Sequence, residues 1–157
     1  MSNNRKPIVA IIGAGECSAE QSEMAYKAGK RLAELGGILV CGGRSGISKA
    51  AAHGARDGGG QSIGLLPGNS KDSANEYVEI AIPTGLGETR NVLVVRAADA
   101  VIAFPGKYGT LTEIAFALLE GKPIVSVGSW KIDSSVLNVA DPIEAAETAL
   151  KLSSREK

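Results

Sequence analysis

The run Ala100-Val101-Ile102-Ala103-Phe104-Pro105-Gly106-Lys107-Tyr108-Gly109-Thr110-Leu111-Thr112-Glu113 joins an apolar strand to a Pro/Gly turn that opens directly onto a helix. That succession is one βα unit of a layered α/β protein. The first amides of a helix lack intrahelical acceptors and carry the positive end of the macrodipole, so a phosphate placed there accepts several N–H bonds at once. Gly106 and Gly109 let a ligand approach the backbone, Thr110 adds a hydroxyl, and Glu113 stands one turn further in as a candidate general base. Any α/β protein also needs glycine at strand-to-helix corners. Taken alone, this turn fits both readings.

Outward from this unit the same rhythm repeats, and the 20 glycines of the 157-residue chain mark its corners. The β-branched run Ile8-Val9-Ala10-Ile11-Ile12 suits a strand buried on both faces of a parallel sheet. Gly13-Ala14-Gly15 closes it, Ser18 is placed to cap, and residues 20–35 form a helix with Met24, Ala28, Leu32 and Leu35 on one stripe. A strand over 38–41 follows, then Gly42-Gly43-Arg44-Ser45-Gly46 and an Ala-rich helix over 47–56. The next strand covers 62–66. A polar loop over 67–75, a short strand over 77–82 and a flexible loop over 83–87 lead to a helix over 88–98. After the strand at 100–104 come a helix over 110–120, a strand over 123–127, and a last helix opened by Asp141-Pro142 and ending near Leu152. Residues 153–157 read as a frayed tail.

Alternating strands and helices with short glycine loops specify a doubly wound, mostly parallel, Rossmann-like sheet with helices on both faces, in one domain spanning 1–157. Ligands bind such sheets outside the carboxyl ends of the strands. The three glycine corners, at 13–15, 42–46 and 105–110, all lie on that edge.

Composition narrows the classes of partner. Acidic and basic residues number 17 each, which leaves no electrostatic footprint for nucleic acid or a membrane surface. Aromatic residues at 4% offer few stacking platforms for a single strand. No apolar run approaches a membrane span. The opening residues 1–7 are polar with no secretory core after them, so the expected location is the cytosol. Cys17 and Cys41 are widely spaced with no metal-ligand pattern beside them, which fits reduced thiols and no metal.

Two familiar nucleotide motifs fail on their own chemistry. Gly13-Ala14-Gly15-Glu16-Cys17-Ser18 lacks the third glycine of the dinucleotide fingerprint, and Glu16 stands where a pyrophosphate would lie. The end of the second strand offers no carboxylate to a ribose hydroxyl. No Gly-Lys-Ser/Thr triplet occurs, which removes a P-loop. His53, the one histidine, sits in the Ala-rich helix and reads as a packing or surface residue.

Three elements together carry a resemblance: Gly42-Gly43-Arg44-Ser45-Gly46, then Glu88-Thr89-Arg90-Asn91, then 98–113 with its Pro-Gly-x-x-Gly-Thr-x-x-Glu core. The chain from about residue 8 to 130 resembles the superfamily that joins the cytokinin-activating phosphoribohydrolases, often mislabelled lysine decarboxylases, with the molybdenum cofactor carrier proteins. The compact length, the Gly13-Ala14-Gly15-Glu16 opening and Gly121-Lys122-Pro123-Ile124-Val125 look closer to the carrier-like branch. The resemblance implies a Rossmann-like fold that binds a phosphorylated nucleotide or pterin, and a homo-oligomer, a dimer or a dimer of dimers. No separate cofactor is implied; the candidate ligands are a nucleoside monophosphate and molybdopterin. Arg90 matches the hydrolases' functional arginine and Glu113 their functional glutamate. Gly13, Gly15, Gly42, Gly43, Ser45, Gly46, Gly106, Lys107, Gly109 and Thr110 are the expected phosphate or nucleotide contacts.

The pairing of Arg90 with Glu113 has its own logic. N-ribosidic cleavage passes through an oxocarbenium-like sugar that a carboxylate can stabilise, and a guanidinium can clamp a phosphate or ribose. Three features depart from the hydrolases. Lys107 replaces a glycine, Asn91 replaces a lysine, and a helical wheel places Leu111, Ile114, Ala115 and Leu118 on the core stripe, leaving Glu113 toward solvent or a neighbouring subunit. Pyridoxal chemistry is excluded, since nothing resembles a Schiff-base lysine site. A ligand-binding carrier and a phosphoribohydrolase remain, with a nucleotide-sensing interaction module third; the departures favour binding.

Overall fold

The structure, a computed structural model, describes residues 4–154. Seven strands form one sheet in the order β4-β3-β2-β1-β5-β6-β7, and every pairing is parallel. The strands are β1 Ile8–Ile12, β2 Ile38–Cys41, β3 Ser62–Leu66, β4 Ile80–Pro83, β5 Ala100–Ala103, β6 Ile124–Ser126 and β7 Leu137–Asn138. The helices are α1 Ala19–Glu34, α2 Ile47–Asp57, α3 Asn91–Arg96, α4 Tyr108–Leu119 and α5 Pro142–Ser153. The expected doubly wound, Rossmann-like architecture is therefore present, with the order reversing between β1 and β5.

Two apolar layers flank the sheet. One joins α1, α2 and α5 to Val9, Ile11, Leu39, Ile102, Phe104 and Val125. The other joins α3 and α4 to Ala10, Ile12, Val40, Val101 and Ile124. Successive strand residues point to opposite faces, so β1 and β5 need apolar residues at every position. Ile11, Ile102 and Phe104 are fully buried. Helices α1 and α2 meet backbone to backbone, because a Cβ on Gly29 would collide with the Ala51 carbonyl and one on Gly54 with the Tyr26 carbonyl.

Several expected boundaries move. The helix expected over 88–98 is a 3-10 turn, Gly87–Arg90, followed by the short α3. Gly87 takes φ +61°, so the chain enters through a tight turn instead of an α-helical start. The strand expected over 77–82 begins at Ile80, because Tyr77 and Val78 turn on Asn75, whose Oδ1 accepts from the Tyr77 amide at 3.0 Å. Strand β7, two residues on the far edge, has no counterpart in the sequence reading. Leu35 lies past the last turn of α1 and is exposed, while Ala28 and Leu32 of its stripe are buried.

Helix α4 shows the largest correction. Its buried residues are Thr110, Glu113, Ile114 and Ala117, whereas Ala115 is exposed and Leu111 and Leu118 are half-buried. The buried stripe is thus the neighbour of the expected one, and Glu113 faces inward. Helix α5 includes Ser153, so the expected tail starts later, and its residues 155–157 lie outside the described residues, as do 1–3 of the polar opening. Among the described residues no helix is long and apolar enough to cross a membrane.

Candidate functional site

At the carboxyl ends of β1, β2 and β5, where the strand order reverses, lies a cleft of about 670 Å³. This is the position the topology itself opens, because the connections on either side diverge to opposite faces of the sheet. Gly13 and Gly15 line it from the loop after β1, Gly42 and Ser45 from the loop after β2, and Lys107, Gly109, Thr110 and Glu113 from the start of α4. Arg90 reaches it from the turn before α3. Nine of the twelve residues singled out in the sequence therefore share one cavity.

The other three support its walls. Gly43 is packed against Gly64 and Leu66 at φ +81°. Gly46 is the N-cap of α2 at φ +65°, and a side chain there would run into the Ala14 carbonyl and Gly15. Gly106 has no room for a Cβ beside Thr110, and one would also lie 3.0 Å from the Ala14 amide. Both helix starts thus close on Ala14, whose amide donates to the Pro105 carbonyl at 2.9 Å and whose carbonyl accepts from the Ile47 amide at 3.0 Å. Sequence reasoning assigned no binding role to Glu16, Arg44, Ser48, Glu88 and Asn91, which also line the cleft. Ser48 carries the one signal available, standing two residues after the N-cap of α2.

The helix starts differ in chemistry. Helix α1 carries a capping box between Ser18 and Gln21, with Glu20 in its first turn. Helix α5 is capped by Asp141, with Glu144 in its first turn. Helices α2 and α4, whose first turns line the cleft, have no side-chain cap and no acidic residue in the first turn. Their orphan amides and dipole ends are left for something else to satisfy. Trp130 fixes the α4 turn by donating Nε1–H to the Gly106 and Lys107 carbonyls, each at 3.1 Å. Asn75 fixes the α2 loop, its amide donating to the Gly43 carbonyl at 2.9 Å and its Nδ2 to the Arg44 carbonyl at 2.8 Å.

Arg90 donates through Nη1 to Asn91 Oδ1, and through Nη2 to the Gly42 carbonyl at 3.4 Å. Its Nε is buried with no hydrogen-bond partner. Asn91 is itself buried, and its acceptor role is one a lysine cannot fill, since an ammonium only donates. Asn91 is thus a holder of the Arg90 guanidinium. Glu113 is 7% exposed and its pKa is pushed up to about 8 by burial, with the Arg90 guanidinium pulling the other way and Glu88 adding slightly to the rise. At neutral pH its carboxyl keeps its proton and can donate a hydrogen bond. Of the remaining lining charges, Arg44, Lys107, Glu16 and Glu88 are exposed and Arg90 is half-buried. Burial pushes the Cys41 thiol up to about 11 and also raises Cys17, which keeps both protonated at neutral pH. His53 stacks on Tyr77 at 4.2 Å, meets Tyr26 edge-on and lies 3.4 Å from Asp57, the packing role expected of it.

These features define a Rossmann-like α/β protein with a polar cleft at its topological switch point. The chain belongs to the SLOG cluster4 family, whose model matches residues 6–154. It is similar to the molybdenum cofactor binding protein of Rippkaea orientalis, with 33% identity, a TM-score of 0.88, and coverage of 95% of this chain and 98% of that one. The molybdenum cofactor carrier protein of Chlamydomonas reinhardtii matches at 33% identity and a TM-score of 0.87, over 96% and 100%. The cytokinin riboside 5'-monophosphate phosphoribohydrolase LOG of Oryza sativa is 38% identical over 125 residues, 77% of this chain and 50% of the rice protein. The chain thus spans about half the length of that relative.

Proposed function

We propose that the cleft binds a phosphorylated nucleotide or pterin-type ligand and holds it without breaking a bond. The observation that carries the reading is the contrast among helix starts. Helices α2 and α4, which open onto the cleft from glycine loops, lack caps and acidic first-turn residues, as does α3 where it continues the 3-10 turn and its Asn91 amide is taken by the Glu88 carbonyl, while α1 and α5 have both. A phosphate at those starts accepts backbone N–H bonds, and Lys107, with no carboxylate partner among the described residues, adds a charge-assisted contact. Likeness to cofactor carriers over nearly the full chain supports the carrier form. The reading includes a second copy of this chain. Leu119 and Ala115 are exposed on α4, beside half-buried Val92 and Leu93 on α3, and an isologous dimer is the simplest cover for them.

A second reading is favoured by one observation, the burial of Glu113 beside Arg90. In a phosphoribohydrolase the protonated Glu113 would give its proton to the departing base as the N-glycosidic bond breaks, and water would add at the sugar carbon, returning a proton to the Glu113 carboxylate, to give ribose 5-phosphate. Incubation with a panel of nucleoside 5'-monophosphates separates the two, with free base read by chromatography and melting temperature read in parallel, for the wild type and Glu113→Gln. Stabilisation without product, retained in the variant, is expected. Product that disappears in Glu113→Gln would replace binding by hydrolysis.

A further inference from the structure

The uncapped starts of α2 and α4 lie on opposite faces of the sheet. Helix α2 belongs to the layer with α1 and α5, and α4 to the layer with α3. Both reach the same cleft and close on the same residue, Ala14, whose carbonyl accepts from the first α2 amide and whose own amide meets the turn before α4. Each start has its own cation and at least one hydroxyl, of which Ser45 Oγ already donates to the Gly15 carbonyl at 2.9 Å. Arg44, Ser45 and Ser48 stand at α2, and Lys107 and Thr110 at α4. Neither Arg44 nor Lys107 forms an ion pair among the described residues. A phosphate seated at one such station takes up that start's amides and cation. The second station would keep its orphan amides and its charge.

An independent observation points to a ligand between them. Glu113 is more than nine-tenths buried, lines the cleft, and has no hydrogen-bond partner among the described residues. The Nε of Arg90, which lines the same cleft, is buried with no hydrogen-bond partner, and a buried polar group left unpaired is costly. The acids Glu16 and Glu88 that also line the cleft are exposed, so water screens them from the stations.

We propose that the ligand carries two anionic groups of the diphosphate-ester class, one seated at the start of α2 with Arg44, Ser45 and Ser48, the other at the start of α4 with Lys107 and Thr110. This rests on the phosphate-binding reading above and sharpens its substrate class. Arg44 then sets the preference for diphosphate over monophosphate, while Lys107 serves both.

Calorimetric titration of the full chain with inorganic phosphate, pyrophosphate, AMP and ADP at one ionic strength tests it. Pyrophosphate should bind about tenfold or more tightly than phosphate, and ADP than AMP, on the scale of one charge-assisted station. Arg44→Gln should shrink that ratio toward one, whereas Lys27→Gln, a charge removed from α1 outside the cleft, should leave it unchanged. Equal affinity for the mono- and diphosphate members, or a ratio that survives Arg44→Gln, overturns the two-station proposal and leaves phosphate binding standing. No binding by any of the four overturns both.

Discussion

Glu113 meets two opposing demands. Burial favours its neutral form and the Arg90 guanidinium favours its charged form, and burial prevails, with a value of about 8 against an ordinary 4.5. Between those two values the folded chain binds the proton that the unfolded chain has released, so stability falls as pH rises through the window and levels off above it. Glu113→Gln removes that dependence. Its stability should match the wild type near pH 4, exceed it increasingly up to about pH 8 at ~1.4 kcal/mol for each pH unit of the window, and stay ahead by a constant amount above it. A constant offset at all pH values would show that Glu113 is not buried as a neutral acid. This residue was also the one misplaced from sequence. Choosing the stripe of α4 by apolarity selects Leu111, Ile114, Ala115 and Leu118, one residue away from the true stripe of Thr110, Glu113, Ile114 and Ala117. The signal misleads because the cleft is an interior surface lined by polar groups. Arg90 and Glu113 were legible as a pair through motif resemblance, whereas the role of Asn91 in holding Arg90 needs the fold.

Among the elements, those with continuous apolar runs were read nearly to the residue. Strand β3 matches over 62–66, and β1 over 8–12, because strands buried on both faces leave no alternation to misread. Elements fixed by contacts distant in sequence were read poorly. Strand β4, half exposed on the edge, is displaced toward Pro83, and β7 exists only because β6 offers an edge to pair with. The α1–α2 crossing was likewise invisible, since Gly29 and Gly54 look like weak points of two helices until each is seen facing a partner's carbonyl. Gly54→Val tests that crossing. Although a Gly-to-Val change improves little in helix propensity, the new Cβ must displace the Tyr26 backbone, and a loss of about 1–3 kcal/mol by urea denaturation is expected. A neutral or stabilised variant would show that the helices are not in backbone contact there.

For the whole molecule, the strand-helix alternation gave the doubly wound sheet, and with it the edge on which ligands bind. The strand order, and so the choice of the β1/β5 gap, came from the fold alone. At this scale the proposed second copy covers exposed Leu119 and Ala115 of α4 beside half-buried Val92 and Leu93 of α3. Sedimentation velocity at micromolar concentration should show a dimer or a larger even assembly, and Leu119→Glu, at a side chain 79% exposed, should shift it toward monomer. A wild type that is wholly monomeric would remove the second copy from the account. In the proposed function, phosphate recognition at the starts of α2 and α4 governs what enters the cleft. The most direct measurement is a calorimetric comparison of AMP with adenosine on the wild-type chain. One AMP site per chain is expected, with binding that weakens as salt rises, and affinity for adenosine lower by tenfold or more, on the scale of the lost charge-assisted bonds. Equal affinity for the two, or saturable adenosine binding with none for AMP, would contradict it.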